Sequence, residues 1–230
     1  FHFPETETLP FEQMDGGSVT THQRISVLST LISQNCVAPI VLASAEAATR
    51  KTIDKNVFMS TCHNLKRNDS ASPNELIRQW NSMGYQTEPS VRSHGTVSRR
   101  GGILDIYPVS SPWPVRVELW GTEIDSLRLF DPSTQLSTTM VDSINISPAR
   151  EILPEHMSVA EFNNIKGTID SSNCTESVQA RINEELSLLS DGHEIDHLNF
   201  YSGMFNQGSL FDYFPENALV VMYKRQEITM

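Results

Sequence analysis

Apolar and polar residues alternate most regularly between Gly95 and Pro132, and the remainder of the chain can be laid out around that stretch. Val115, Val117 and Leu119 alternate with Arg116, Glu118 and Trp120, the period of two that marks a strand with one buried face. Arg116, Glu118 and Trp120 therefore share the other face. A strand over Ile103 to Tyr107 precedes this one and ends at Pro108. Gly121-Thr122 turns the chain into a third strand, about Ile124 to Phe130, which stops at Asp131-Pro132. The pattern predicts a small antiparallel meander.

On the N-terminal side, Phe1 to Phe11 has no helical period and reads as an extended piece. Ile25, Leu28 and Ile32 fall at helical spacing in a helix from about Thr21 that ends before Pro39. Ile40 to Ala43 reads as a short buried strand, and Ser44 as the cap of a helix running to about Lys51. Near Met59 the pattern becomes polar. Ser72-Pro73-Asn74-Glu75 then has the form of a capping box with proline at the first helical position. Leu76, Ile77, Trp80 and Met83 line one face of that helix, which is expected to cover the meander, and Gly84 ends it. Tyr85 to Val91 is expected to add a strand.

Beyond the meander, Ile144 to Ile146 reads as a return strand and Glu151 to Pro154 as a linker. Val178, Ile182, Leu186 and Leu189 form one stripe of a helix from Glu176 to Leu189. Ala218 to Met222 is a continuous apolar run, as expected of a core strand in a parallel sheet. The fold class expected is α/β: an α/β domain over residues 1–58, an inserted α+β domain with an antiparallel sheet over 59–147, and a return to the first domain over 148–230.

Composition narrows the function classes. A hydrophobic fraction of 38% with 20% charged residues describes a folded chain. Cys36, Cys62 and Cys174 are odd in number and lack C-x-x-C spacing, which argues against a disulfide framework or a structural zinc site. No apolar run reaches membrane-spanning length, and Phe1-His2-Phe3-Pro4 has neither the basic nor the apolar region of a signal peptide. A cytoplasmic location is expected, and the missing initial methionine points to a piece of a longer protein. The formal net charge of −11 opposes duplex DNA binding, which rests on cations that displace counterions from phosphates. A protein partner is the better fit.

The outward face of the meander bears on that partner. An indole and a guanidinium on a side not needed for the core have the composition of an interface hot spot, with Arg92, Arg99, Arg100 and Arg128 close in sequence. The same pattern also allows Trp120 to pack beneath a neighbouring helix while the arginines solvate a sheet edge.

The segments RGGILDIYP and PVRVELWGTEIDSLRLFDPSTQ resemble the domain shared by the bacterial transcription-repair coupling factors and the excision-repair protein UvrB. The resemblance extends over nearly all of the chain and is densest at 95–154 and 198–222. It implies a docking surface for the damage-recognition ATPase UvrA, with Arg100, Arg116 and Trp120 on the family's binding positions. The family aromatic is usually Phe, so Trp120 keeps the ring and enlarges it. Glu118 is expected to orient Arg116. The segment LFDYFPENALVVM resembles UvrB just before its D-E-S-H motif, but Tyr223, Lys224, Arg225 and Gln226 follow here. A cation at the metal position repels Mg²⁺, so a degenerate nucleotide site is expected, with no cofactor in this segment.

The chain also has no G-x-x-x-x-G-K-[ST] and no room between Phe11 and Arg24 for the DNA-gripping hairpin of UvrB, which favours the coupling factors. For the full-length protein the resemblance implies an ATP- and Mg-dependent DNA translocase that displaces stalled RNA polymerase. Polymerase and duplex DNA are engaged by its other domains, and a C-terminal regulatory domain covers the docking surface. The alternatives are a fragment of UvrB or a half-domain that still binds nucleotide. A further rival is a zinc protease built on His193-Glu194-Ile195-Asp196-His197. That H-E-x-x-H match follows Asp191-Gly192, which reads as the end of a helix, whereas both histidines must stand on one helical face. Asp105, Asp125 and Asp131 suit turn or sheet roles better than catalysis, and Ser110 and Ser111 lack a hydrolase elbow.

Overall fold

The computed structural model describes residues 1–6, 19–33, 38–191, 193, 195–196 and 198–224. At the N-terminus β1 (His2–Phe3) is followed by α1 (Val19–Ile32) and pairs in parallel with β2 (Leu42–Ala43). Burial of Ile25 and Leu28 on α1 follows the predicted stripe. Ser44 caps α2 (Ala45–Thr49) by accepting the Ala47 amide at 3.1 Å, as its position predicts. Asp54 does the same for α3 (Lys55–Thr61), satisfying amides that a helix start leaves without partners. Ile40 and Leu42 are exposed, so the expected buried strand is instead half of an open, two-stranded sheet.

A short strand, β3 (His63–Lys66), then leads to α4 (Pro73–Ser82). Pro73 opens that helix and Gly84 follows it with φ of +93°, a conformation that favours glycine. Ser72 occupies the cap position, but its side chain makes no capping bond, so the predicted capping box is not formed. Next come β4 (Gln86–Thr87), β5 (Thr96–Arg100), β6 (Ile103–Ile106), β7 (Val115–Trp120), β8 (Glu123–Phe130) and β9 (Ser137–Met140). They form a six-stranded sheet in that order, antiparallel throughout except for β4 with β5. The meander is present as predicted, and β7 has the predicted bounds. The strand expected over Tyr85 to Val91 is only two residues long.

The predicted return strand is β10 (Ser143–Ile146), and it pairs antiparallel with β3. The chain continues through a 3₁₀ turn (Pro154–His156) into α5 (Val159–Lys166) and α6 (Glu176–Ser190). A second 3₁₀ turn (Leu198–Tyr201), α7 (Ser202–Phe205) and a third turn (Leu210–Tyr213) follow. Ala218 to Met222 forms no strand, and Leu219 to Met222 are exposed. An all-apolar strand is stable only between paired neighbours, and among the described residues the β1–β2 sheet does not extend to it.

One apolar cluster unites α1, α4 and the inner face of the large sheet. Trp80, Leu76 and Met83 pack there with Val97, Leu104, Ile106, Val115, Val117 and Leu127, so α4 covers the meander as expected. A smaller cluster of Phe162, Leu186, Leu189, Tyr201 and Met204 holds α5 to α7 together. A buried polar hub ties the chain's early and late parts. Arg24 Nε donates to Glu151 Oε1 at 2.5 Å, its Nη1 donates to the Pro4 carbonyl at 3.0 Å, and its guanidinium lies 4.0 Å from the centre of the Phe3 ring. Thr52 Oγ1 completes the hub by donating to Glu151 Oε2 at 2.7 Å.

Candidate partner-binding face

Strand register determines which side chains share the outer face. Ser98, Asp105, Arg116 and Arg128 stand in one row across β5 to β8, and Arg100, Ile103, Glu118 and Ser126 form the next. Trp120 sits opposite Glu123, beyond a register slip between Glu118 and Leu119 that passes over Asp125. Gly121, with φ of +65°, opens the two-residue turn Gly121-Thr122, in which a left-handed first residue matches the twist of the hairpin arms. The turn Gly101-Gly102 lies at the same end of the sheet, since β6 runs antiparallel to β7. Arg100 and Trp120 thus flank one end of the outer face.

Asp105 organises this face. Its carboxylate is 1% exposed and takes Arg116 as a fork, Nε to Oδ1 at 2.8 Å and Nη2 to Oδ2 at 3.0 Å. Arg100 Nη2 donates to the same Oδ2 at 2.7 Å. Two guanidiniums share one carboxylate, so the trio carries an excess positive charge. Exposure divides its members, because the Arg116 side chain is 13% exposed and that of Arg100 is 53% exposed.

Arg116 is largely occupied within the fold. Besides Asp105, its Nη1 donates to the Gln135 carbonyl at 3.3 Å, and its guanidinium lies 4.8 Å from the centre of the Phe130 ring. Hydrogen bonding to Asp105 is the main influence holding its pKa above the ordinary guanidinium value; the Asp105 and Glu118 charges add to this, against the cost of burial.

The expectation that Glu118 orients Arg116 is corrected. Glu118 Oε2 accepts the Ser126 hydroxyl at 2.5 Å and lies 3.6 Å from Arg128 Nε, while Asp105 makes the fork to Arg116. Cross-strand partners govern here: Asp105 faces Arg116 directly, and Glu118 faces Ser126. Trp120 is 85% exposed, which excludes the reading that packs it beneath a helix. Arg99 points to the opposite side of the sheet from Arg100 and donates to Asn74 of α4.

Asp105 has the sheet role expected of it and, beyond that expectation, partners both arginines. The signal was an aspartate between Leu104 and Ile106 in an otherwise apolar strand, since a buried carboxylate requires cations or donors. Of the H-E-x-x-H stretch, Glu194 and His197 lie outside the described residues. Among the described residues no three metal-binding side chains converge, and no helix is long and apolar enough to cross a membrane. Arg225 and Gln226, cited for a degenerate nucleotide site, also lie outside the described residues.

Comparison with known proteins covers both the face and the chain. Residues 64–152 match the UvrB interaction domain family, a span containing α4, the whole six-stranded sheet and β10. The transcription-repair-coupling factor of Bacillus subtilis is 32% identical over 230 residues, which cover 96% of this chain and 19% of that protein. Those of Haemophilus influenzae and Escherichia coli are 28% and 26% identical, over 95% and 94% of this chain and 19% and 18% of their own lengths. Residues 64–152 are thus similar to the UvrB interaction domain family, and nearly the whole chain is similar to a segment, about one fifth in length, of the transcription-repair-coupling factors.

Proposed function

We propose that the outer face of the large sheet docks UvrA, and that the chain is the non-catalytic recruiting segment of a protein acting in transcription-coupled repair. The observation that carries this reading is an 85% exposed Trp120 at the end of a face whose Arg100 is held, half exposed, by a buried carboxylate. Large aromatic and arginine side chains supply most interface hot spots, and fixing them before contact reduces the ordering cost of binding. The family match over 64–152 supports the same reading.

Trp120 fills an apolar pocket on the partner. Arg100 reaches a partner carboxylate with donors that Asp105 leaves over, forming a charge-assisted bond. Arg116 acts chiefly by holding Asp105, and Glu118 by holding Arg128 and Ser126.

The rest of the reading follows the resemblance. Residues 59–147 form the UvrA-binding insert and the flanking parts a UvrB-like domain with a degenerate nucleotide site. This segment takes no cofactor. ATP- and Mg-dependent translocation, RNA polymerase, duplex DNA and the C-terminal regulatory domain belong to the longer cytoplasmic protein. Surface plasmon resonance on immobilised UvrA tests the docking roles. Arg100→Ala and Trp120→Ala are expected to weaken binding in an otherwise folded chain. Wild-type affinity in both variants would move the interface elsewhere.

A further inference from the structure

An anchor that is 85% exposed draws little of its position from side-chain packing, so the backbone beneath it must be fixed by other means. Trp120 immediately precedes the Gly121-Thr122 turn, and its cross-strand partner is Glu123 at the start of β8. Pairing within the hairpin supports one edge of that arm. Sheet pairing with β9 supports the other edge only further along, between Arg128 and Phe130.

The segment 67–71 fills the gap. The Asn68 amide donates to the Ile124 carbonyl at 2.9 Å, the Ile124 amide to the Asp69 carbonyl at 2.9 Å, and the Ala71 amide to the Thr122 carbonyl at 2.6 Å. Ser70 bridges antiparallel to Glu123, and Arg67 Nε donates to the carbonyl of Asp125, the residue passed over by the register slip. The arm that carries the turn is therefore hydrogen-bonded on both edges.

Two side chains shape the segment for this task. Asn68 adopts φ of +69°, a left-handed conformation that asparagine tolerates and β-branched residues do not. Asp69 Oδ2 accepts the Lys66 amide at 2.9 Å, closing the turn that follows β3. At the other side, the Arg67 amide donates to the Asp142 carbonyl at 3.0 Å, just before β10, so the segment is anchored to the two strands that bracket the meander.

We infer that Asn68 and Asp69 are positioning residues for Trp120: they hold the 67–71 segment as an extra strand against the hairpin tip and so preset the docking anchor. The inference rests on the docking reading above and adds residues far from Trp120 in sequence that touch no partner. It predicts that loosening the segment lowers affinity by reducing the share of molecules in the binding geometry, with the interface residues unchanged.

The test uses the 230-residue chain with Trp113→Phe, so that Trp120 is its only exposed tryptophan, and compares Asn68→Val with Asn68→Gly. Valine opposes the left-handed conformation; glycine accepts it. Asn68→Val should make Trp120 fluorescence anisotropy decay faster and speed hydrogen exchange at the Ile124 amide. It should also weaken binding to purified UvrA roughly fivefold, as if the binding geometry were populated about one fifth of the time. Asn68→Gly should restore all three readouts. Asp69→Ala should resemble Asn68→Val, with Asp69→Asn, which keeps an acceptor, close to the parent. If the parent binds UvrA and Asn68→Val matches it in anisotropy and affinity, the positioning role is wrong. If the parent does not bind UvrA while the anisotropy and exchange changes appear, positioning stands and the docking reading fails.

Discussion

Two of the carboxylates that hold arginine, Glu151 and Asp105, are both buried, but only Asp105 carries an arginine out to solvent, and the contrast separates stability from recognition. Glu151 receives Arg24, which is 0% exposed and also contacts Pro4 and the Phe3 ring. That cation is enclosed and has nothing to offer a partner. Asp105 is buried more deeply still but receives two guanidiniums, and Arg100 extends from it into solvent. One arrangement fixes α1 to the segment after β10, and the other holds a charge ready for contact.

Breaking each arrangement should therefore give different results. Glu151→Ala strands the buried Arg24 charge and should cost about 3–5 kcal/mol of stability, the range for removing one member of a buried pair. Chemical denaturation measures it, and a loss well below 1 kcal/mol would show the hub to be open to water. Trp120→Ala should cost on the order of 2 kcal/mol of UvrA binding with an unchanged unfolding midpoint, because an exposed ring contributes little to the fold. Asp105→Asn keeps the shape but removes the charge that Arg100 and Arg116 share, and should lower both stability and binding by about 1–2 kcal/mol. A loss in stability alone would assign Asp105 to the core.

The last expected effect depends on pH and lies where α1 meets the sheet unit. Burial, with the His94 charge adding to it, lowers the His22 pKa from 6.5 to about 4. The folded state therefore binds fewer protons than the unfolded state in that interval. His22 contributes stability at neutral pH, and that contribution should fade as pH drops through 6 toward 4. His22→Gln should flatten this part of the stability profile, whereas Trp120→Ala should leave it unaltered.

The sequence made the middle of the sheet legible and its edges obscure. β7 follows from Val115, Val117 and Leu119 alone, because one face meets the core and the other meets solvent. β9, with sequence STTM, is an exposed edge strand paired only with the strand before it, and β3, with HNLK, buries only Leu65 and pairs with the distant β10 in a separate two-stranded sheet; neither shows an apolar period. Leu219 to Met222 misled in the other direction, since apolar composition is no substitute for neighbouring strands. At the candidate face, the alternation placed Arg116, Glu118 and Trp120 on one side. It gave no cross-strand register, and without register the fork from Arg116 to Asp105 was assigned to Glu118.

The claim that the outer face docks UvrA is tested most directly by calorimetric titration of the chain into purified UvrA at moderate salt without nucleotide, repeated with Trp120→Ala. The account predicts saturable one-site binding by the wild-type chain and binding weakened about thirtyfold in the variant, the ratio that corresponds to about 2 kcal/mol. Equal affinities, or no binding by the wild-type chain, would contradict it.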